Sequence, residues 1–121
     1  MSSNAAVTLI AYSSRLFQAS GHSVRCAILL AYTDLQRLKL PQRFKTLFDQ
    51  HSRKEFILIS KSRRWTVQYA NGFFNVVGWK SFVHAHKLST YHTLVLNPNV
   101  NVELHTMVFD ANNCKRIYSW Y

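Results

Sequence analysis

The side chains able to do covalent or acid/base chemistry are few, and they are not grouped as catalysts are. Five Asp and Glu are spread over 121 residues, and none forms the close carboxylate pair that proton transfer needs. Cys26 and Cys114 stand far apart in the sequence, outside any recognisable nucleophile and base arrangement. His84, His86, His92 and His105 are near enough to suggest a metal centre. However, no paired cysteines accompany them, no His-Glu-x-x-His helix is present, and residues two apart on a helix point in different directions. The expectation is a protein that is not an enzyme and holds no metal or cofactor.

The cations are grouped. Fifteen Lys and Arg oppose five Asp and Glu, a formal charge of +10, which favours polyanionic partners. Between Asp34 and Lys87 lie Arg37, Lys39, Arg43, Lys45, Arg53, Lys54, Lys61, Arg63, Arg64, Lys80 and Lys87, against Asp34, Asp49 and Glu55. After Leu88 the charges balance, so the positive field belongs to the middle of the chain. Within it, Gln36, Arg37 and Lys39 lie on a polar connection, where Arg can bind guanine bidentately and Gln can bind adenine. They read equally as plain surface charge. Lys61, Arg63 and Arg64 share one turn, either solvated or holding phosphates, which supply affinity without sequence information. Lys80 and Ser81 fall at the expected start of a helix, whose N-terminus can hold a phosphate.

The elements that must position these groups are short strands between turns. "VRCAILLA" (24–31) has strand length and composition, and Thr33, Asp34, Gln36 and Arg37 form the polar connection after it. In "LPQRFKTLFDQH" Pro41 suits a first helical turn, and Leu40, Phe44, Leu47 and Phe48 share one face, with Arg43 and Lys45 outside. "EFILIS" and "WTVQY" read as strands joined by the basic turn "KSRR", and Asn71-Gly72 is a tight-hairpin signal before "FFNVV". These three make a meander. Gly78 breaks the pattern, and "WKSFVHAHKL" reads as a second helix with Trp79, Phe82 and Val83 inward. "TLVL", "VELHTMVF" and "CKRIY" complete seven strands, punctuated by Asn97-Pro98-Asn99 and by residues 110–113. Seven strands and two short helices imply a mainly β fold, a small closed or nearly closed barrel.

Size and composition agree with one folded domain. A chain of 121 residues buries roughly two thirds of its unfolded surface. With 48% hydrophobic residues it is too apolar for disorder. No apolar run reaches the ~18 residues of a membrane span, and two cysteines suit free, buried thiols in a reducing compartment. Residues 1–23 read as a poorly ordered extension, with a weaker match to an organelle transit peptide. Residues 24–121 are the domain.

The order of these segments resembles the plant B3 DNA-binding domain, especially its reproductive-meristem subgroup. The resemblance rests on Leu40, Pro41 and Phe44, on Trp65 and Val67, on Gly78, Trp79 and Phe82, on Leu88 and "TLVL", and on Met107 to Tyr118. It implies a seven-stranded open barrel, a pseudobarrel with two short helices, that grips double-stranded DNA in the major groove with two arms. The first maps to residues 33–39, including Gln36, Arg37 and Lys39, and the second to residues 69–73, including Tyr69 and Asn71. The phosphate contacts would fall on Lys61, Arg63, Arg64, Lys80 and Ser81.

Three departures from that pattern stand out. Tyr91-His92 replaces the usual Gly-Asp before "TLVL". "SKSRR" replaces acidic and glycine residues before Trp65, removing an easy left-handed turn position. No Arg or Lys occurs between Trp65 and Lys80. The resulting expectation is a nuclear transcription regulator binding double-stranded DNA, with protein co-regulators as possible partners and no membrane role. A sequence-nonspecific binder of nucleic acid, RNA included, and a diverged interaction domain are the alternatives.

Overall fold

Residues 25–50, 54–99 and 102–121 are described by the computed structural model; the expected extension at 1–23 and the side chains of Arg43 and Leu47 lie outside the described part. Cys26, Ile28 and Leu30 turn inward while Ala27 and Leu29 alternate with them, the period of two that makes β1 (Cys26–Leu29) a strand. The polar connection then coils into one turn of helix, α1 (Tyr32–Gln36), started by the Asp34 carboxylate accepting the Ala31 N–H at 2.9 Å. After Pro41 comes α2 (Gln42–Gln50), which buries Phe44 and Phe48. The Phe48 ring stacks on Phe56 at 4.4 Å between centroids.

The meander follows as expected. β2 (Glu55–Ser60) pairs antiparallel with β3 (Arg63–Ala70), and β3 with β4 (Phe73–Phe74). The β3–β4 turn is Asn71 at φ 53° and Gly72 at φ 91°, the left-handed pair that a two-residue hairpin of this hand requires. Helix α3 (Val76–His86) lies behind the sheet, burying Trp79, Phe82 and His86. It packs so closely that a Cβ at Gly78 would run into the carbonyl oxygen of Thr66 on β3. β5 (Thr93–Pro98) and β6 (Glu103–Phe109) form an antiparallel pair.

The six strands make one sheet in the order β1–β5–β6–β2–β3–β4. All pairings are antiparallel except β6 beside β2, where Ile57 faces Glu103 and Ile59 faces His105. The sheet is curled and open. Its edge strands are β1 and β4, and the segment just after α1 reaches β4: the Phe74 N–H donates to the Leu38 oxygen and the Leu40 N–H to the Gly72 oxygen. Leu38, Leu58, Phe74, Trp79, Leu94 and Leu104 are among the side chains filling the hollow.

Four expectations are corrected. The described sheet has six strands, not seven. "CKRIY" makes a single bridge, Lys115 to Phe109, because Asp110 accepts the N–H groups of Asn112 and Cys114 and bends the chain there. Beyond it Tyr118 and Trp120 stack on each other and cover His86. "FFNVV" stays a strand for two residues only, since Asn75 uses both its backbone N–H and its side-chain oxygen on Gln68 and the helix begins at Val76. The described residues hold three helices, not two. Both thiols are free, but only Cys26 is buried and Cys114 is exposed. Among the described residues no helix is long and apolar enough to cross a membrane.

Candidate nucleic-acid interface

At one end of the sheet the two expected arms are a single piece of structure. Leu38 and Leu40 are buried, so the extended backbone between α1 and α2 sends Arg37 and Lys39 outward by alternation. Lys39 bridges Phe73, and the flanking bonds from Phe74 to Leu38, 3.1 Å, and from Leu40 to Gly72, 2.8 Å, make a short ladder from first arm to second. The Arg37 guanidinium carbon sits 4.0 Å from the centre of the Phe73 ring. Lys80, exposed on α3, donates to the Gln36 side-chain oxygen at 3.2 Å. Below the arm, the Trp79 indole N–H donates to the Asp34 carbonyl oxygen at 2.6 Å.

Between the arms and α2 opens a cleft of about 470 Å³, lined among others by Asp34, Lys39, Gln42, Lys45, Asn71 and Phe73. The stem of Lys45 lies against Gly72. The carboxylates nearby are already engaged. Asp34 caps the Ala31 amide. Asp49 pairs with Lys45 at 2.8 Å and accepts the Tyr69 hydroxyl at 2.5 Å; Lys45 and then Tyr69 hold its carboxyl below the ordinary carboxylate range. Among the described residues, the ion pairs are Lys45–Asp49 and Arg64–Glu103, and neither involves Arg37, Lys39 or Lys80.

The structure brings together Gln36, Arg37, Lys39, Asn71 and Lys80, and it separates the rest. Tyr69 is turned into the core: its ring is buried against Phe48 and Phe56, and burial, then Asp49, pushes its phenol above the ordinary value. Ser81 is not at a helix start, because α3 begins at Val76 and the Ser81 hydroxyl donates back to the Val77 oxygen at 3.3 Å. Lys80 likewise sits in the second turn, away from the free N–H groups.

Lys61, Arg63 and Arg64 occupy the opposite end of β3, roughly 20 Å from the arms at the usual strand rise. Their charges lean on other groups: Lys61 on the Tyr121 ring, Arg63 on the Trp120 ring, and Arg64 on Glu103 at 2.7 Å. The glycine-like turn conformations survive without glycine. Lys61 holds φ 56° and Tyr91 holds φ 74°.

The histidines do not converge either. His84 is exposed while His86 is buried. The Nδ1–H of His86 donates to the Phe82 oxygen, so Nε2 accepts the Ser60 hydroxyl, each at 2.9 Å. Burial is the main cause that brings its pKa down to about 4. Among the described residues no group of three or more His, Cys, Asp or Glu is placed to hold a metal.

Comparison with known proteins adds a fold. No protein-family model matches the chain, and no curated protein does. A solved structure is similar: the hypothetical Arabidopsis thaliana protein At1g16640.1, with a TM-score of 0.65 and 23% identity over 79% of this chain and 99% of that one. The likeness is one of fold. It supports the open, mainly β architecture and leaves the role of the arms to be argued from their own geometry.

Sequence reasoning missed two members of this end. Phe73 closed the range of the second arm without being named among its contacts, yet its position directly after an Asn-Gly turn puts it beside the first arm. Lys45 read as the outer side of α2; its spacing of four from Asp49 was the available sign that it would be tethered.

Proposed function

We propose that the chain is a double-stranded DNA-binding module of the B3 type that enters the major groove with its joined arms and regulates plant transcription in the nucleus. The observation carrying this is the ladder between residues 38–40 and 72–74, which places Gln36, Arg37, Lys39, Asn71 and Lys80 on one exposed rim of a strongly basic protein. A major groove about 12 Å wide admits such a two-stranded edge. In this reading Arg37 meets a guanine edge, Gln36 and Asn71 meet adenine edges, and Lys39 and Lys80 neutralise phosphates. The role is recognition, not catalysis, and effects on transcription come through occlusion or recruited co-regulators.

The second reading, a nucleic-acid binder without sequence preference, RNA included, is favoured by the absence of any Arg or Lys between Trp65 and Lys80. Selection of sites from random duplex DNA, followed by competition with scrambled duplex and with RNA, separates the two. The DNA-reading role requires an enriched motif whose binding resists both competitors. Ready displacement by both supports the nonspecific role, and absence of binding at moderate salt supports a diverged interaction domain.

A further inference from the structure

We infer that Phe73 is a positioning residue whose ring holds the Arg37 guanidinium flat at the rim, so that the second arm acts as a platform for the first arm's reader. For its consequence this rests on the DNA-reading role proposed above; the stack itself does not. Three observations converge. The guanidinium carbon is 4.0 Å from the Phe73 ring centre, within the range where the negative ring face attracts a cation. Lys39 and Phe73 are bridged through their backbones, and the bonds on either side fix the ring relative to the first arm. The turn that delivers Phe73 is a tight one, at Asn71 and Gly72.

The physical gain is in preorganisation. A free arginine must give up much side-chain freedom to present its fork in one plane. An aromatic ring against one guanidinium face removes that freedom beforehand and leaves the edge N–H groups open for a bidentate contact. This also accounts for a second arm with no cation of its own. Its contribution is a surface under Arg37, while Lys80, bonded to Gln36, steadies the neighbouring side chain from the other flank.

The test joins a measurement without DNA to one with it. In the free protein, ring current should move the Arg37 side-chain proton resonances upfield, and Phe73→Leu should return them to ordinary positions; ordinary positions in the wild type overturn the inference whatever DNA does. With selected and scrambled duplexes, Phe73→Tyr should keep the wild-type ratio of affinities, whereas Phe73→Leu should lose about 5- to 10-fold of it. Arg37→Lys keeps the charge but not the flat fork, and should lose the ratio as Arg37→Ala does. Adding Phe73→Leu to Arg37→Ala should cost nothing further, since the ring then has nothing to hold. If Arg37→Ala loses the ratio and a folded Phe73→Leu keeps it, Phe73 positions nothing and the DNA-reading role stands. Should the wild type prefer no duplex, that role fails and the positioning role fails with it.

Discussion

The indole N–H of Trp79 donates to the carbonyl oxygen of Asp34 across 2.6 Å, which fastens α3 directly to the first arm. Trp79 is fully buried, so Trp79→Ala should destabilise by about 3 to 5 kcal/mol. Trp79→Phe keeps most of the volume but orphans the carbonyl, and should cost about 1 to 3 kcal/mol. Urea unfolding measures both. A Trp79→Phe protein as stable as wild type would show that the bond does not hold the arm.

Gly78 offers a sharper test of the same helix. Because a Cβ there meets the Thr66 carbonyl oxygen, Gly78→Ala must push α3 off β3 despite alanine's better helix propensity. Overpacking of this kind costs about 1 to 3 kcal/mol, and the upper part of that range is expected here because the obstacle is backbone. Thermal unfolding should show the loss.

At Tyr91 the opposite sign is expected. Its φ of 74° is one that side chains disfavour by about 1 to 2 kcal/mol, and the side chain is exposed. After glycine's own entropic penalty, Tyr91→Gly should stabilise by roughly 0.5 to 1 kcal/mol. A lower unfolding midpoint would mean that the ring makes a contact worth more than the relief of strain.

His86 makes stability depend on acid. In the fold it titrates near 4, against 6.5 for a free histidine. Between those values the unfolded chain takes a proton that the folded chain refuses, so stability is complete above the upper value. It falls as pH drops through the window, by up to about 1.4 kcal/mol per pH unit. His86→Gln should flatten this slope, measured by urea unfolding at several pH values, with a remainder from His92, which burial shifts the same way.

The distant cations supply a contrast in salt dependence. Lys61 and Arg63 lie at the other end of β3 and lean on Tyr121 and Trp120, so replacing both by Ala should leave the slope of log K against log salt for duplex DNA nearly unchanged. Lys39→Ala should reduce that slope by about 0.9 for its lost phosphate contact. An equal reduction from the distant pair would mean that DNA follows the whole length of the strand.

Much of this architecture is legible in the sequence, and the gaps have physical causes. The meander was readable because Asn71-Gly72 demands a tight turn and because apolar side chains alternate through Phe56, Leu58, Val67 and Tyr69. The end of β4 was not, since Val76 and Val77 favour strands locally while Asn75 closes the ladder through a side chain. "CKRIY" misled for the reverse reason: its composition suits a strand, but Asp110 captures the amides of Asn112 and Cys114 first. For the candidate site, the exposed cations of the first arm were visible as charge. The inward turn of Tyr69 and the place of Phe73 depend on partners far along the chain, Asp49 and Arg37, which local patterns do not encode.

The parallel seam between β2 and β6 has a consequence in time. The meander and the β5–β6 hairpin each form from neighbouring chain, but the seam joins segments far apart in sequence, and it cannot close until α3 and its flanking turns are laid out. Loop closure of this kind slows folding. Meanwhile β2 and β6 each present an unsatisfied edge to other chains. Refolding yield should therefore rise on dilution, with the competing assembly built through those two strands while the rim that carries Arg37 takes no part in it.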